Sequence, residues 1–573
     1  MPARLDGPWL GTQRLGGLTG DPLDAVWEAA ALAGVAWLDT APIYGETDGA
    51  MERRIGEFLS AHPEVSVATK AGLVRDGRSF RPDGRARTLG GSARASRDRL
   101  GRIDLLQLHV PDPRVELDTT LRAMARLLER GVVGAVGLCN CTVSQVEQAR
   151  AVLPVSSVQV EVSPIAATAV RSGVVEVARE LGIPVLAWRP LGGADRVARI
   201  LAHPTVAGIA TRGGTSPARV VLAWLASLGV EPIPGPSRPA TVRDALGFRP
   251  VTLDDEDRRS MDAAFPIGSL RVPRAQRRPP PSEREVMIVM GSPGSGKSTY
   301  AERLRASGAV RLNRDARGGT VDGLLAPLGR ALADGARTVV LDNTYATRAA
   351  RNGVIETAWA HRVSVRCVWM TTPDGTCEVN SVLRILDLLG RLPEPDELDR
   401  SGGPAALLAP RVLHRYREQL EPPRLDEGFV AVDAVPWAPH EPDDRRRPTA
   451  LLLDRSVLDT APAALREARA GGRSLWCIGW TPGAAHGEED RIRERARELD
   501  VVLDEVALCR HPAGPPRCWC RKPLPGLAVL LASRHGAPIA NLQIVATSPA
   551  DRTLAAKLGI EAVVVPSRGR DGP

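Results

Sequence analysis

The segment Val286-Met-Ile-Val-Met-Gly291-Ser-Pro-Gly294-Ser-Gly296-Lys297-Ser298-Thr299 joins an apolar run of strand length to a helical pattern through a glycine-rich turn. Strand, Gly-x4-Gly-Lys-Ser and helix in that order make a P-loop. Gly291, Gly294 and Gly296 let backbone N–H groups turn inward around a phosphate chain. Lys297 is expected to reach the β/γ-phosphates and the Ser298 hydroxyl, next to Thr299, to hold Mg²⁺. A glycine-rich turn with no ligand is the alternative; the flanking strand and helix argue against it. An ATP site is therefore expected at the midpoint of the chain.

The 573 residues around this segment exceed what one core supports, so several domains are expected. A composition 43% hydrophobic and 25% charged is that of a folded globular protein. No apolar run reaches the roughly 18 residues of a membrane helix, and the N-terminus lacks a secretory apolar core, so a cytoplasmic protein is expected. The net charge of +8 is compatible with a polyanionic partner without requiring one. Eight cysteines in so long a chain do not form a disulfide framework. Lys70, Lys297, Lys522 and Lys557 are the four lysines among 75 basic residues, and the first three fall inside motifs. A compact ammonium does work that a guanidinium fork cannot, which points to three chemical sites.

Upstream, residues 1–268 alternate short apolar strands with amphipathic helices. Strands are expected to end near Asp39, Lys70, His109, Asn140, Glu161, Trp188 and Pro234, with one more near Gly11–Leu18. Helical patterns occupy Pro22–Ala33, Thr119–Arg130 and Val170–Leu181. Eight strand–helix units over about 250 residues predict an α/β (β/α)8 TIM barrel, whose functional residues belong at the C-terminal strand ends. Asp39, Lys70 and His109 stand there, with Tyr44 just beyond Asp39. A tyrosine beside a lysine and an aspartate can donate a proton, because the ammonium lowers the phenol's pKa. Any one of these residues alone reads as structural; the set reads as a site.

The segment resembles the aldo/keto reductases over its whole length. The resemblance implies Tyr44 as general acid in carbonyl reduction, Asp39 and Lys70 tuning it, and His109 orienting the carbonyl. It also implies NADP(H) as cofactor, with Asn140 and Gln159 holding the nicotinamide amide and Trp188 stacked on the ring. Ser237 and Arg238, in Ile-Pro-Gly-Pro-Ser-Arg-Pro, would grip the 2′-phosphate. Cys139 stands where the family usually has a serine. Substrate loops in this family vary too much to name the small carbonyl compound.

Residues 269–284 are basic and proline-rich and read as a semi-rigid linker, with a nucleic-acid-binding arm as the other reading. Residues 285–437 form the expected P-loop domain. Val310-Arg-Leu-Asn313-Arg314-Asp315 reads as a short strand ending in a carboxylate, and Ala336-Arg-Thr-Val-Val-Leu-Asp342-Asn-Thr344 as a buried strand ending in another. Asp342 is at the position that organises Mg²⁺ and water, and Asp315 could accept a proton from an attacking hydroxyl. An Asp at a strand end is a cap as often as a catalyst, so spacing alone leaves this open. Asn313-Arg-Asp315, Val-Val-Leu-Asp342-Asn-Thr and Tyr416-Arg-Glu-Gln-Leu-Glu-Pro-Pro-Arg-Leu-Asp-Glu-Gly-Phe429 are similar to the kinase domain of polynucleotide kinase-phosphatases. That resemblance implies transfer of the ATP γ-phosphate to a 5′-hydroxyl end of DNA or RNA, with Asp315 as general base. The family's arginine-bearing lid is altered here to Cys377-Glu-Val-Asn380-Ser-Val-Leu-Arg384, leaving Arg384 as the lid candidate. An insertion at Leu386–Arg400 is expected to reshape the acceptor site.

A second linker, 438–448, precedes residues 449–573, which read as a small doubly wound α/β domain with strands at Thr449–Leu453, Ser474–Ile478, Val501–Ala507, Leu542–Ala546 and Ala562–Val565. Cys509, His511, Cys518 and Cys520 are a Cys3His set suited to structural Zn²⁺, favoured over a disulfide in a reducing compartment. With Arg521-Lys522-Pro-Leu-Pro-Gly this resembles haloacid-dehalogenase-type phosphatases of the histidinol-phosphate and heptose-bisphosphate kind. The resemblance implies Asp454 as nucleophile and Lys522 as the phosphate-stabilising lysine. The second aspartate of the nucleophile motif is Ser456, the hydroxyl motif contains Thr481, and Ala546-Thr547 replaces the Mg²⁺-binding Gly-Asp, leaving Asp551 nearby. A carboxylate short, the site binds Mg²⁺ poorly and lacks the acid for a leaving group, so a binding or structural role is expected.

Three readings follow. The first is a nucleic-acid end-processing enzyme that phosphorylates 5′-hydroxyls and carries a reductase. The second is a metabolic carbonyl reductase fused to a small-molecule kinase. The third, a non-enzymatic scaffold, conflicts with the intact tetrad and P-loop.

Overall fold

The computed structural model describes residues 5–77, 79–267, 277–280, 282–398, 407–436, 449–483, 487–512 and 518–564. Both linkers fall largely or wholly outside these residues, as does the end of the Leu386–Arg400 insertion. The chain divides into two compact units, 1–278 with 348–353, and 279–347 with 354–573. Among the described residues no helix is long and apolar enough to cross a membrane.

In the first unit the strands are β1 (Trp9–Gly11), β2 (Trp37–Asp39), β3 (Ser66–Ala71), β4 (Leu73–Asp76), β5 (Ser79–Pro82), β6 (Leu105–Leu108), β7 (Val136–Cys139), β8 (Val155–Glu161), β9 (Val185–Trp188) and β10 (Glu231–Ile233). Eight of them form one parallel sheet in the order β1-β2-β3-β6-β7-β8-β9-β10. The Gly11 N–H donates to the Pro234 carbonyl at 2.8 Å, bringing the first and last strands together to close the barrel. Helices such as Asp21–Leu32, Ala50–Ala61 and Leu117–Glu129 return the chain between parallel strands. Their apolar faces pack on the outside of the sheet, with Leu23, Val26, Ile55, Leu121 and Met124 buried against Leu10, Leu38 and Leu106. Inside, Trp9 and Trp37 stack at 4.7 Å between ring centres and fill the barrel together with Ala68, Leu105, Leu186 and Ile233. A barrel plugged by such side chains leaves its C-terminal rim for polar groups.

Two features of this unit differ from the sequence reading. The helix expected over Val170–Leu181 is two helices, Thr168–Arg171 and Val174–Glu180, because Gly173 between them takes a left-handed φ of +80°. Between β3 and the next helix stands an unexpected antiparallel hairpin, β4 and β5. Its sequence is dominated by charged residues around Gly77 and lacks the apolar alternation of a core strand.

The second unit holds two more parallel sheets. β11 (Glu285–Gly291), β12 (Val310–Leu312), β13 (Thr338–Asp342), β14 (Ser364–Met370) and β15 (Ala431–Val435) run in the order β12-β13-β11-β14-β15. β16 (Ala450–Leu453), β17 (Ser474–Trp480), β18 (Glu505–Cys509), β19 (Leu542–Ala546) and β20 (Glu561–Val564) run in the order β18-β17-β16-β19-β20. In each, the first strand lies at the centre and the order reverses beside it, the place where doubly wound sheets open a crevice for ligands. The sequence expects these two regions as separate bodies, yet they share a core. The helix Asp374–Leu389 buries Cys377, Val382, Ile385 and Leu386 in one apolar cluster with Trp519, Ala528, Leu531, Leu554 and Leu558. A buried Glu378 on that helix pairs with Lys557 at 2.7 Å and with Arg417 at 2.9 Å.

Candidate active site

At the C-terminal rim of the barrel, Asp39 ends β2, Lys70 stands one residue before the end of β3, and His109 and Asn140 directly follow β6 and β7. The Lys70 ammonium donates to both Asp39 carboxylate oxygens, at 2.7 and 2.8 Å, and to the Thr40 carbonyl at 3.0 Å. Both side chains are buried, 3% and 7% exposed, so the pair is worth far more to position than an exposed ion pair. The ammonium also lies 5.3 Å from the centre of the Tyr44 ring, and Tyr44 meets His109 edge-on with ring centres 6.4 Å apart. All four residues line one cavity of about 850 Å³. Its wall continues through Asn140, Gln159 and Trp188 to Gly235, Ser237 and Arg238, so every barrel residue singled out from sequence reaches the same space.

The electrostatics refine the sequence reading. Burial is the largest single effect and works against the Lys70 charge, but the charge and hydrogen bonds of Asp39 together with Tyr44 and Cys139 hold the lysine's pKa above its ordinary value. Tyr44 was expected to have a lowered pKa. Its pKa is raised instead, because burial of the phenol exceeds the opposing effect of Lys70. Tyr44 therefore stays protonated at neutral pH, the form in which it can donate. Burial, and then the Lys70 charge, push His109 down to about 3, so its imidazole is neutral.

Gln159 and Asn140 are engaged within the protein. The Gln159 amide donates to Asp39 at 2.9 Å and accepts from the Cys139 thiol at 3.2 Å. Asn140, at a left-handed φ of +54°, donates to the His109 carbonyl at 3.1 Å and accepts from the Trp188 indole at 3.1 Å. Thr40, whose carbonyl takes the third Lys70 bond, and the cavity-lining Leu73 and Phe80 of the hairpin were not legible in the sequence.

In the second unit the glycine-rich segment that the sequence reads as a P-loop follows β11 and leads into the helix Lys297–Ala306. Gly294 and Gly296 take φ values of +81° and +89°, which L side chains rarely adopt. The Lys297 ammonium donates back across the loop to the Ser292 carbonyl at 2.6 Å. Burial lowers its pKa to about 8. Ser298 and Thr299 are exposed at the start of the helix. The helix Asp374–Leu389 lies against the loop: Asn380 donates to the Gly294 carbonyl at 2.8 Å, and a Cβ at Gly294 would strike the Cys377 carbonyl. Arg384, one turn further on, is exposed, and its charge reaches Lys297.

Of the two expected carboxylates, Asp342 ends its strand as the sequence predicts and Asp315 does not. β12 stops at Leu312, and Asn313 caps a short helix, Arg314–Arg317, by accepting from the Ala316 N–H at 3.0 Å. Asp315 is therefore helical rather than at a strand end, and its half-exposed carboxylate pairs with Arg314 at 2.7 Å. Asp342 does end β13, but Arg311 binds both of its oxygens, at 3.0 and 2.7 Å. Arg311, in the middle of β12, went unnoticed in the sequence.

At the rim of the last sheet, Lys522 bridges Asp454 at 2.8 Å and Asp551 at 2.7 Å. Ser456 and Thr547, which replace acidic residues of the resembled motif, bond to each other through their hydroxyls at 3.1 Å. Asp551 is also spent on its own helix, accepting from the Ser548 N–H and hydroxyl at 3.0 and 2.7 Å. Thr481 is adjacent to the end of β17. Ligand atoms of Cys509, His511, Cys518 and Cys520 all lie within 4.8 Å of one another. A tetrahedral ion with bonds of about 2.3 Å to sulfur requires sulfurs about 3.8 Å apart. Cys509 and Cys518 are 3.8 Å apart, and Cys509 is 3.5 Å from the His511 Nδ1. The other ring nitrogen, Nε2, meets Glu394 at 2.9 Å, the carboxylate contact that orients a ligating histidine.

Comparison with known proteins bears on the barrel. The aldo/keto reductase family model matches residues 9–265. Aldo-keto reductase str7 of Strobilurus tenacellus is 28% identical over 268 residues, covering 40% of this chain and 77% of its own. Probable aldo-keto reductase 1 of Glycine max is 28% identical over 295 residues, covering 44% and 84%. Among solved structures, glycerol dehydrogenase AKR11B4 from Gluconobacter oxydans is 24% identical with a TM-score of 0.40, over 46% of this chain and 92% of that one. Residues 9–265, with their closed barrel and the Asp39, Tyr44, Lys70 and His109 cluster on its C-terminal rim, are an aldo/keto reductase domain of the oxidoreductase class.

Proposed function

We propose that the barrel reduces a small carbonyl compound with NADPH, and that Tyr44 gives the proton to the carbonyl oxygen. One observation carries this: a protonated Tyr44, a neutral His109 and a buried Lys70–Asp39 pair face one cavity. His109 offers a ring N–H to hold the carbonyl oxygen beside the phenol. Lys70, fixed by Asp39 and Thr40, stabilises the negative charge that develops on Tyr44 as its proton leaves. The cavity suits a dinucleotide in volume and lining: Trp188 offers an aromatic wall, Asn140 and Gln159 offer amides, and Ser237 and Arg238 offer donors to a 2′-phosphate. When bound, the reduced nicotinamide supplies the hydride. The test is NADPH oxidation with a generic aldehyde, which should vanish in Tyr44→Phe while folding is kept. Unchanged turnover in that variant would remove Tyr44 as the acid.

For residues 285–437 we propose an ATP-dependent kinase acting on 5′-hydroxyl nucleic-acid ends. Support comes from the left-handed glycines around Lys297 and from the central-strand position of the loop in a doubly wound sheet. Lys297 would neutralise phosphate charge, Ser298 would hold Mg²⁺ and Arg384 would close over the phosphates. In this reading Asp315 is released from Arg314 to take the hydroxyl proton, and Asp342 must share Arg311 with Mg²⁺ or give up the metal role. Labelled γ-phosphate should pass from ATP to a 5′-hydroxyl oligonucleotide, and Lys297→Ala or Asp315→Ala should abolish transfer. Label found only on small alcohols would favour the metabolic reading, a reductase fused to a small-molecule kinase. Residues 449–573 are proposed as a non-hydrolytic module with Zn²⁺ on Cys509, His511, Cys518 and Cys520. This reading is supported by Lys522, which engages both Asp454 and Asp551, the two carboxylates left to hold a metal in the resembled motif.

A further inference from the structure

We infer that Arg75, on the β4–β5 hairpin, is a positioning residue for Tyr44; the inference rests on Tyr44 being the proton donor. The Arg75 guanidinium donates to the carbonyls on either side of that tyrosine, Ile43 at 2.9 Å and Gly45 at 3.3 Å. Its Nε bonds Asp48 at 3.0 Å, further along the same loop. One nitrogen, Nη2, makes both backbone bonds while Nε holds Asp48, so the planar group ties three points of one loop in a fixed relation that a flexible ammonium does not impose.

The loop needs such a hold. Residues 42–49 form a turn without regular structure; the Tyr44 N–H donates to the Ala41 carbonyl at 3.0 Å, but beyond it Gly45 adopts φ +97° and the Tyr44 carbonyl accepts only a long bond of 3.4 Å from the Met51 N–H. The Tyr44 side chain is set against the Lys70 ammonium, 5.3 Å from its ring centre, and against His109 at its edge, contacts that act on the phenol and not on the backbone that carries it. Arg75 supplies a restraint along the backbone that the tetrad does not.

The same guanidinium lies 5.2 Å from the centre of the Phe80 ring. Phe80 and Leu73, one on each strand of the hairpin, line the cavity with Tyr44. Arg75 thus ties the hairpin wall of the pocket to the acid, so a substrate pressing on Phe80 acts on the element that sets the phenol's distance from the carbonyl. Its pair with Asp48 is exposed enough to add little stability, the two side chains being 29% and 60% exposed. The effect of removing it should therefore fall on rate and not on folding.

The test uses the full chain, NADPH and 4-nitrobenzaldehyde, and compares Arg75→Met, Arg75→Lys, Asp48→Asn and Tyr44→Phe with the parent. A misplacement of about 1 Å costs up to roughly 100-fold in rate. Arg75→Met is expected to lower kcat by about 10- to 100-fold, with the KM for NADPH and the hydrogen-exchange protection of the barrel strands unchanged. Arg75→Lys should recover part of the loss, and Asp48→Asn should show a smaller loss of the same kind. A kcat within twofold of the parent in both Arg75→Met and Asp48→Asn overturns the inference, as does a loss matched by weaker NADPH binding or by lost hydrogen-exchange protection of the barrel strands. Tyr44→Phe separates the two claims: if it remains active the proton-donor reading fails, whereas if it alone is inactive only the role of Arg75 fails.

Discussion

Removing the Lys70 ammonium should cost the barrel more than any other single change at its rim. In Lys70→Met the Asp39 carboxylate stays buried, at 7% exposure, and keeps only the Gln159 amide at 2.9 Å. Breaking a buried pair by deleting one partner costs about 3–5 kcal/mol. Replacing both charges with neutral groups of similar volume is often close to neutral. The double variant Asp39→Asn/Lys70→Met should therefore recover most of the loss while remaining inactive, since nothing then stabilises the charge on Tyr44. A chain of several units does not unfold in two states, so hydrogen exchange read peptide by peptide is the appropriate assay. Peptides spanning β2 and β3 should lose about two to three and a half decades of protection in the single variant, at 1.4 kcal/mol per decade. A loss below about 1 kcal/mol, or a double variant as exposed as the two singles combined, would refute the reasoning.

Other outcomes follow from the same geometry. Lys70 has a pKa raised above 10.5, so its contribution to stability is complete below that value and is lost as pH rises through the higher folded value. Alkaline titration of the parent should show this barrel transition and Lys70→Met should lack it. His109, held down to about 3, should produce no inflection near 6.5 in the reductase pH–rate profile, and one that disappears in His109→Gln would contradict that assignment. Lys297 titrates near 8, and phosphate binding should restore its charge, so calorimetry at that pH in buffers of different ionisation enthalpy should show proton uptake on ATP binding, absent in Lys297→Met. Metal analysis should find one zinc per chain in the parent and none in Cys518→Ser; no zinc in the parent would retire the site.

The barrel and its rim were legible because two signals coincide there. Short apolar runs alternate with amphipathic helices, and several of those runs end on a polar residue that no core strand needs. Asp39, Lys70 and His109 could be placed at the rim this way, and the turn between β11 and the helix Lys297–Ala306 could be placed from the glycine spacing that its backbone geometry requires. What escaped depends on contacts between distant segments. Arg75 and Arg311 are two among many arginines, and only the fold brings one to the carbonyls of Ile43 and Gly45 and the other to Asp342. The sign of the Tyr44 shift escaped for a related reason, since spacing reveals a neighbouring lysine but not the depth of burial that outweighs it. Asp315 was misplaced because Asn313 is itself a good helix cap, and the helix it starts ends the strand at Leu312, short of Asp315. The common core of the second unit was hidden because the helix Asp374–Leu389 has apolar residues enough for two neighbours, and sequence does not name the second.

Transfer of label from NADPH deuterated at the nicotinamide C4 tests the central claim most directly. With an aldehyde in excess, the parent should deliver deuterium to the carbonyl carbon from one face of the ring, and Tyr44→Phe, still binding the cofactor, should deliver none. Efficient transfer by Tyr44→Phe, or cofactor binding by the parent with no transfer to any aldehyde or ketone offered, would contradict the account.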